Sequence, residues 1–290
     1  MHDQTTMMNS GTQTRSLVGE ARVVERPAAH LVYRRTGSGP GVLLIQGVGA
    51  VGEVWRPQVD SLAVRHATVT FDNRGIGASR IVSGGLSIEA MAEDALAIMD
   101  AAETSRFHVV GHSMGGLIVQ EVALRAPERV KTLSLLCTFA RGRQGARLTP
   151  GMIVSGIRTR IGTRAARRKA FLELVVPPDL LASRGAPALA EELGRLFERD
   201  LAEQPPIIMK QVAAMSRYDA STGLARLGSI PTLVMSAQLD RIALPRFGRE
   251  LSAAIPGSRF VELPGLAHSA PIDAAHLVNR LLEEQFRREP

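Results

Sequence analysis

The chain has 290 residues, 45% of them apolar and 22% charged, with a net charge of +7. That length fits one large α/β domain, or a core domain with a smaller insertion, and the balance excludes a disordered, collagen-like or disulfide-stapled chain. A single cysteine, Cys137, forms no internal disulfide and reads as a buried, inert thiol, so no oxidising compartment is required.

The first sixteen residues, MHDQTTMMNSGTQTRS, are polar and lack the apolar stretch of a signal peptide. They predict a frayed tail and a cytoplasmic protein, and no apolar run reaches the ~18 residues that span a bilayer. Two strands follow, over Glu20–Glu25 and His30–Arg35. Gly37–Gly41 is a turn, and the apolar run Val42–Ile45 is a strand covered on both faces. A helix is expected around Gly52–Val64, then a strand over Ala67–Phe71 ending in the turn-rich Asp72–Ser79. Ser87–Ala102 is helical, with Ile88, Met91, Ala95 and Met99 on one stripe and Ser87 as its N-cap. Phe107–Val110 is a strand, Met114–Leu124 a helix and Lys131–Thr138 another strand. This alternation predicts a mostly parallel sheet flanked by helices.

The pattern breaks over residues 141–226, which show helical stretches and no buried strand. It resumes with a strand at Pro231–Met235, a helix near Leu244–Ala254, a strand at Arg259–Leu263 and a last helix over Ile272–Phe286. The chain therefore divides into a tail (1–16), a core (17–140 and 227–290) and an inserted helical cap (141–226).

Gly111-His112-Ser113-Met114-Gly115 stands between a strand and a helix. A serine there sits at strained dihedrals on a turn tight enough to demand glycines on both sides, with its hydroxyl projecting at the carboxyl edge of the sheet. Serine needs a base. Of seven histidines, His268 follows the strand RFVELP on a late sheet-edge loop, which suits that role. The base needs a carboxylate to fix its tautomer. Asp240, after PTLVMSAQL, supplies it; Asp273 reads instead as a helix N-terminal charge. The order Ser113, Asp240, His268 fits a nucleophile–acid–base triad. One oxyanion donor is the backbone N–H of Met114, and the second is expected in the glycine-rich loop Gln46-Gly47-Val48-Gly49.

Across residues 17 to 290 the chain resembles the α/β-hydrolase superfamily. LLIQGVGAVGEVWRPQVDSLA, VTFDNRGIGASR, VVGHSMGGLIVQEVALRAPERVKTLSLLC and LPGLAHSAPID are similar to its enol-lactonase, carboxylesterase and C–C-bond hydrolase branch. The resemblance implies the α/β-hydrolase fold, Val48 as the second oxyanion donor, and a pocket bordered by Gln46, Gly47, Trp55 and His112. It also implies that Asp72 and Arg74 tie down their loop. Gln46 departs from the family, where His usually precedes the glycine; an amide still offers the loop a hydrogen bond. Ser113 argues against the dehalogenase and epoxide-hydrolase branches, whose nucleophile is Asp.

The expected reaction is hydrolysis of a small-molecule carboxylic ester or lactone through an acyl-enzyme. A C–C-bond hydrolase or cofactor-free perhydrolase on the same triad is the alternative. A ligand-binding receptor with residual hydrolase activity is the alternative of another class. No cofactor and no metal is expected, since Gly75-Ile76-Gly77 lacks the third glycine of a dinucleotide fingerprint and no ligand cluster shows. The cap carries Arg141, Arg143, Arg147, Arg158, Arg160, Arg164, Arg167, Arg168 and Lys169. These read as a solvated face, with selection of an anionic substrate as the sharper expectation. Nucleic acid is not expected, because no aromatics interleave with the basic residues. The oligomeric state is left open, a homodimer included.

Overall fold

The computed structural model describes residues 19–147 and 149–289. The tail expected over residues 1–16, with His2, lies outside them. β1 (Ala21–Arg26) and β2 (Ala29–Thr36) form an antiparallel hairpin in which Arg26 faces Ala29. β3 (Gly41–Ile45) is buried throughout, and Leu43, Leu44 and Ile45 are each 0% exposed, worth about 1.5–3 kcal/mol apiece. One turn of 3-10 helix at Gly52–Trp55 leads into α1 (Arg56–Leu62) and then the buried β4 (Ala67–Phe71). β5 (Arg80–Ile81) pairs with β2. The sequence shows no strand there, because two residues are too few to carry a periodicity.

The loop after β4 is tied down by its own charges. Asp72 accepts the N–H groups of Gly52 and Ala78, each at 2.8 Å, and buried Arg74 grips Asp94 at 2.6 and 2.8 Å. α2 (Ile88–Ala101) starts where the Ser87 hydroxyl accepts the Ala90 N–H at 3.1 Å. β6 (Phe107–His112) runs two residues beyond the expected Val110, so the first half of the Gly-x-Ser motif is itself strand. α3 (Met114–Arg125) and β7 (Val130–Leu136) complete the first half of the sheet.

Between β7 and the next strand, the described residues form six α-helices: α4 (Gly142–Gly145), α5 (Pro150–Arg158), α6 (Arg164–Val175), α7 (Pro178–Arg184), α8 (Ala186–Leu196) and α9 (Pro206–Arg217). They have a small apolar cluster of their own, built on Leu172, Val175, Leu189 and Leu193. Tyr218, Ala220 and Leu224 pack in the main core, so by packing the chain has returned to the core before residue 226. β8 (Thr232–Ala237), α10 (Pro245–Ala254) and β9 (Arg259–Leu263) follow. The expected last helix is broken at Ala274 into α11 (Ala270–Asp273) and α12 (Ala275–Phe286).

The strand order is β1-β2-β4-β3-β6-β7-β8-β9, with every pairing from β4 to β9 parallel and β2 antiparallel to its neighbours. The mostly parallel sheet flanked by helices is the α/β-hydrolase architecture. β3 and β6 are adjacent, with Ile45 opposite Gly111. Their carboxyl ends therefore bring Gln46 and Ser113 side by side, and β8 and β9 deliver Asp240 and His268 to the same edge. Among the described residues no helix is long and apolar enough to cross a membrane.

Candidate active site

Ser113 joins β6 to α3 at φ 56° and ψ −121°, a region that costs a non-glycine residue about 1–3 kcal/mol. The neighbouring glycines make the turn sterically allowed. A Cβ at Gly115 would lie 2.0 Å from the Ile45 carbonyl oxygen, and one at Gly111 would lie 2.4 Å from that of Gly115. β7 braces the turn: the Ser113 N–H donates to Leu136 O at 3.0 Å, and the Thr138 hydroxyl donates to Ser113 O at 2.7 Å.

Asp240 and His268 meet at the far side of the cleft. One oxygen of Asp240 accepts the N–H groups of Ile242 and Ala243 at 2.8 and 2.9 Å. The other accepts His268 Nδ1–H at 2.7 Å, and both side chains are buried. This bond fixes the proton on Nδ1 and leaves Nε2 as the ring's acceptor. Ser113 and His268 line the same cavity, without a hydrogen bond between them in this structure. His112 donates from Nε2 to the His268 carbonyl at 2.9 Å and so holds the backbone of that loop. Burial, and then the neighbouring His268, push His112 down to about 3, so it stays neutral.

Asp273 is not a free helix-terminal charge, as its sequence position suggests. Its carboxylate takes the Ser269 hydroxyl, and burial pushes it up to about 6. Cys137 is buried, and its thiol is raised well above the usual range by burial and by the charge of Asp240. His112, Cys137 and His268 bring donor atoms within 4.8 Å of one another, the one such group among the described residues. One nitrogen of each ring is already bonded within the protein, His112 Nε2 to His268 O and His268 Nδ1 to Asp240.

The loop after β3 faces the serine. A Cβ on Gly47 would lie 2.9 Å from Ser113 Cβ, so only glycine lets the loop approach this closely. Gln46 Nε2 donates to Phe71 O at 2.8 Å, tethering the loop to β4. Its Oε1 is buried without a partner among the described residues. The N–H groups of Val48 and Met114 likewise donate to no protein group among the described residues, as oxyanion donors must.

The cavity over this edge has a volume of about 590 Å³. Trp55, 1% exposed, belongs to both the core and the cavity wall, and stands edge-on to His112 with ring centroids 6.5 Å apart. The roof comes from the inserted helices and is mostly apolar: Ile157, Phe171, Leu174, Leu193, Ile208 and Met209 line it. Much of the basic cluster faces away. Arg164 and Arg168 grip Asp200, which they hold well below the usual carboxylate range, while Arg158 and Lys169 pair with Glu173. Arg147, Arg160 and Arg199 are the arginines on the cavity wall.

Sequence reading missed Arg199 and Gln211, which reach the loop after β3. Gln211 left one signal: it is a polar residue on the buried face of α9, in step with Ile208, Ala214 and Met215.

Comparisons with known proteins agree with this fold. Residues 40–275 match the family model described as alpha/beta hydrolase fold. A protein of Azorhizobium caulinodans, provisionally named a carbamate hydrolase, RutD, is 32% identical over 258 residues, covering 88% of this chain and 94% of that protein. A Mycobacterium tuberculosis protein, provisionally named a non-heme bromoperoxidase, BpoC, is 29% identical over 274 residues, covering 89% and 97% of the two chains. The crystal structure of the enol-lactonase from Burkholderia xenovorans LB400 superposes with a TM-score of 0.77 at 26% identity, covering 92% of this chain and 100% of that one. The chain belongs to the α/β-hydrolase fold family.

Proposed function

We propose that this protein is a serine hydrolase that cleaves a small-molecule carboxylic ester or lactone, acting in the cytoplasm. Ser113 is the nucleophile, His268 its base and Asp240 the residue that orients the base. The observation that carries the reading is the 2.7 Å bond from His268 Nδ1 to Asp240, in a cavity that Ser113 also lines. With Nδ1 protonated, Nε2 accepts the hydroxyl proton of Ser113 as Oγ attacks the carbonyl carbon. The N–H groups of Val48 and Met114 stabilise the oxyanion. As the tetrahedral intermediate collapses, His268 returns the proton to the leaving oxygen. A water, deprotonated by His268, then attacks the acyl carbon and releases Ser113 Oγ, which recovers its proton. No step draws on a metal or cofactor.

The inserted helices act as the cap that selects the substrate. The apolar roof supports an acyl group of substantial size, since a water occupies about 30 Å³ of liquid and the cavity of about 590 Å³ is many times that. The likeness to RutD favours a carbamate as a second reading, because the same nucleophile and oxyanion donors serve a carbamate carbonyl. A panel of aryl esters, lactones and carbamates, assayed on the wild type and on Ser113→Ala, separates the readings. We expect ester or lactone turnover that falls by about 10⁵-fold or more in Ser113→Ala, with the melting temperature within a few degrees. Ester activity within threefold of wild type in that variant would falsify the mechanism.

A further inference from the structure

The loop that carries Val48 is anchored at both ends. On the sheet side, Gln46 holds it to Phe71 O. On the other side the anchors come from the inserted helices, more than a hundred residues away in sequence. Gln211 Oε1 on α9 accepts the Gly49 N–H at 2.8 Å, and Arg199 Nη2 donates to Gly49 O at 3.3 Å. These two bonds fix successive peptide planes, Val48–Gly49 and Gly49–Ala50. The plane just before them, Gly47–Val48, carries the Val48 N–H. Gly49 sits at φ 71°, and a Cβ there would lie 3.0 Å from Ile208 on the same face of α9, so the loop and the helix are in direct contact.

Gln211 is 0% exposed and does not line the cavity, so it is placed to touch the loop and not the substrate. Its Nε2 is buried without a partner among the described residues, a cost that an apolar residue on this packed face would not carry. What the side chain supplies in return is the single bond to Gly49.

We propose that Gln211 is a positioning residue for acyl transfer. By accepting the Gly49 N–H it orients the Val48 N–H toward the oxyanion, so that seating α9 on the sheet edge completes the oxyanion hole. This rests on the acyl-transfer reading above. Donors at an oxyanion act through pre-set geometry, and a shift of about 1 Å costs about 10²-fold in rate. The packing of α9 on the sheet edge and the geometry of the oxyanion hole are then coupled through one bond.

The test uses the full-length chain with Gln211→Met, which keeps the side chain's length and removes its acceptor. Gln211→Asn, an amide withdrawn by one bond of ~1.5 Å, serves as the second variant. Both are assayed on the best ester of the panel. Both are also titrated with an aryl trifluoromethyl ketone, which adds to a serine as a tetrahedral oxyanion, and with the acid product, which does not. The expected result is a 10- to 100-fold fall in kcat with KM within about twofold. The ketone should weaken by a similar factor while product affinity holds. A purely packing role would lower the melting temperature and affect ketone and product alike. Wild-type kcat and ketone affinity in either folded variant, or equal losses for both ligands, overturn the proposal. Labelling of wild type at Ser113 by a fluorophosphonate separates this from failure of the acyl-transfer reading: without that label the reading itself falls, and with it only the role of Gln211 is at stake.

Discussion

The sheet half and the inserted helices solve different problems with different forces. In the sheet half, parallel pairing between strands that are buried except at the half-exposed edge strand β9 sets each carboxyl end, and the candidate chemistry hangs from four of those ends at Gln46, Ser113, Asp240 and His268. The inserted helices hold a small cluster of their own and cross-link their surface with ion pairs such as Arg164–Asp200 and Arg158–Glu173. Exposed pairs of this kind contribute little to stability. Yet the inserted segment reaches the backbone of three of the four loops that carry the site, all but the Ser113 turn. Gln211 and Arg199 bind Gly49, Arg147 donates to Ile242 O at 3.0 Å beside Asp240, and the Ser269 N–H donates to Val175 O at 2.9 Å beside His268. The sheet half thus carries the candidate reacting groups. A weakly packed half roofs them, with partly exposed Ile153, Ile157, Ile161 and Met209 lining the cavity.

If that division is right, the largest losses come from the sheet edge. Asp240→Asn should lower kcat by about 10⁴-fold with little change in KM, because the amide favours the wrong tautomer of His268. Asp273→Asn, which touches Ser269 and not the ring, should stay within threefold. The reverse pattern in steady-state kinetics would mean that the acid is Asp273.

A change in the roof should act on selectivity instead. Leu174→Trp fills part of the cavity, and a single methylene of lost room is worth about 10- to 200-fold in discrimination. The kcat/KM for a long or bulky acyl ester should fall at least tenfold relative to the acetate of the same alcohol. Equal loss on both esters would place the acyl group elsewhere.

The smallest effect probes where the two halves join. Asp273 is pushed up to about 6, mainly by burial, against ~3.9 for an ordinary Asp. Its folded value lies above its unfolded value, so its contribution is full below about pH 4 and is lost as pH rises through about 6. Two units correspond to at most about 3 kcal/mol, or a few degrees of melting temperature in a chain of this size. Asp273→Asn should therefore melt higher than wild type at pH 8 and equal to it near pH 4. A melting temperature below wild type at pH 8 would show that the ionised carboxylate is stabilising.

The Ser113 turn was legible because its demands are local: a strained serine, two glycines that admit no Cβ, a strand before and a helix after. Asp240 and His268 were legible by position, since a strand that ends in an open loop exposes whatever follows it. The ionisation of Asp273 was not legible, because burial by the rest of the molecule sets it. The break at Ala274 and the two-residue β5 were also missed; each is shorter than any periodicity can register.

By itself, the sequence determined the alternation of strands and helices, the place of the insertion, and which serine, acid and histidine stand at strand ends. Those are consequences of backbone geometry over a few residues, repeated along the chain. Only the tertiary structure decided that four of the nine basic residues of the cluster pair with Asp200 or Glu173, that Trp55 serves both core and cavity, and that Gln211 holds Gly49 across 162 residues of chain. Each of these depends on which distant groups packing brings within about 3–4 Å. A hydrogen bond or an ion pair at that range leaves no periodic mark in the sequence that forms it.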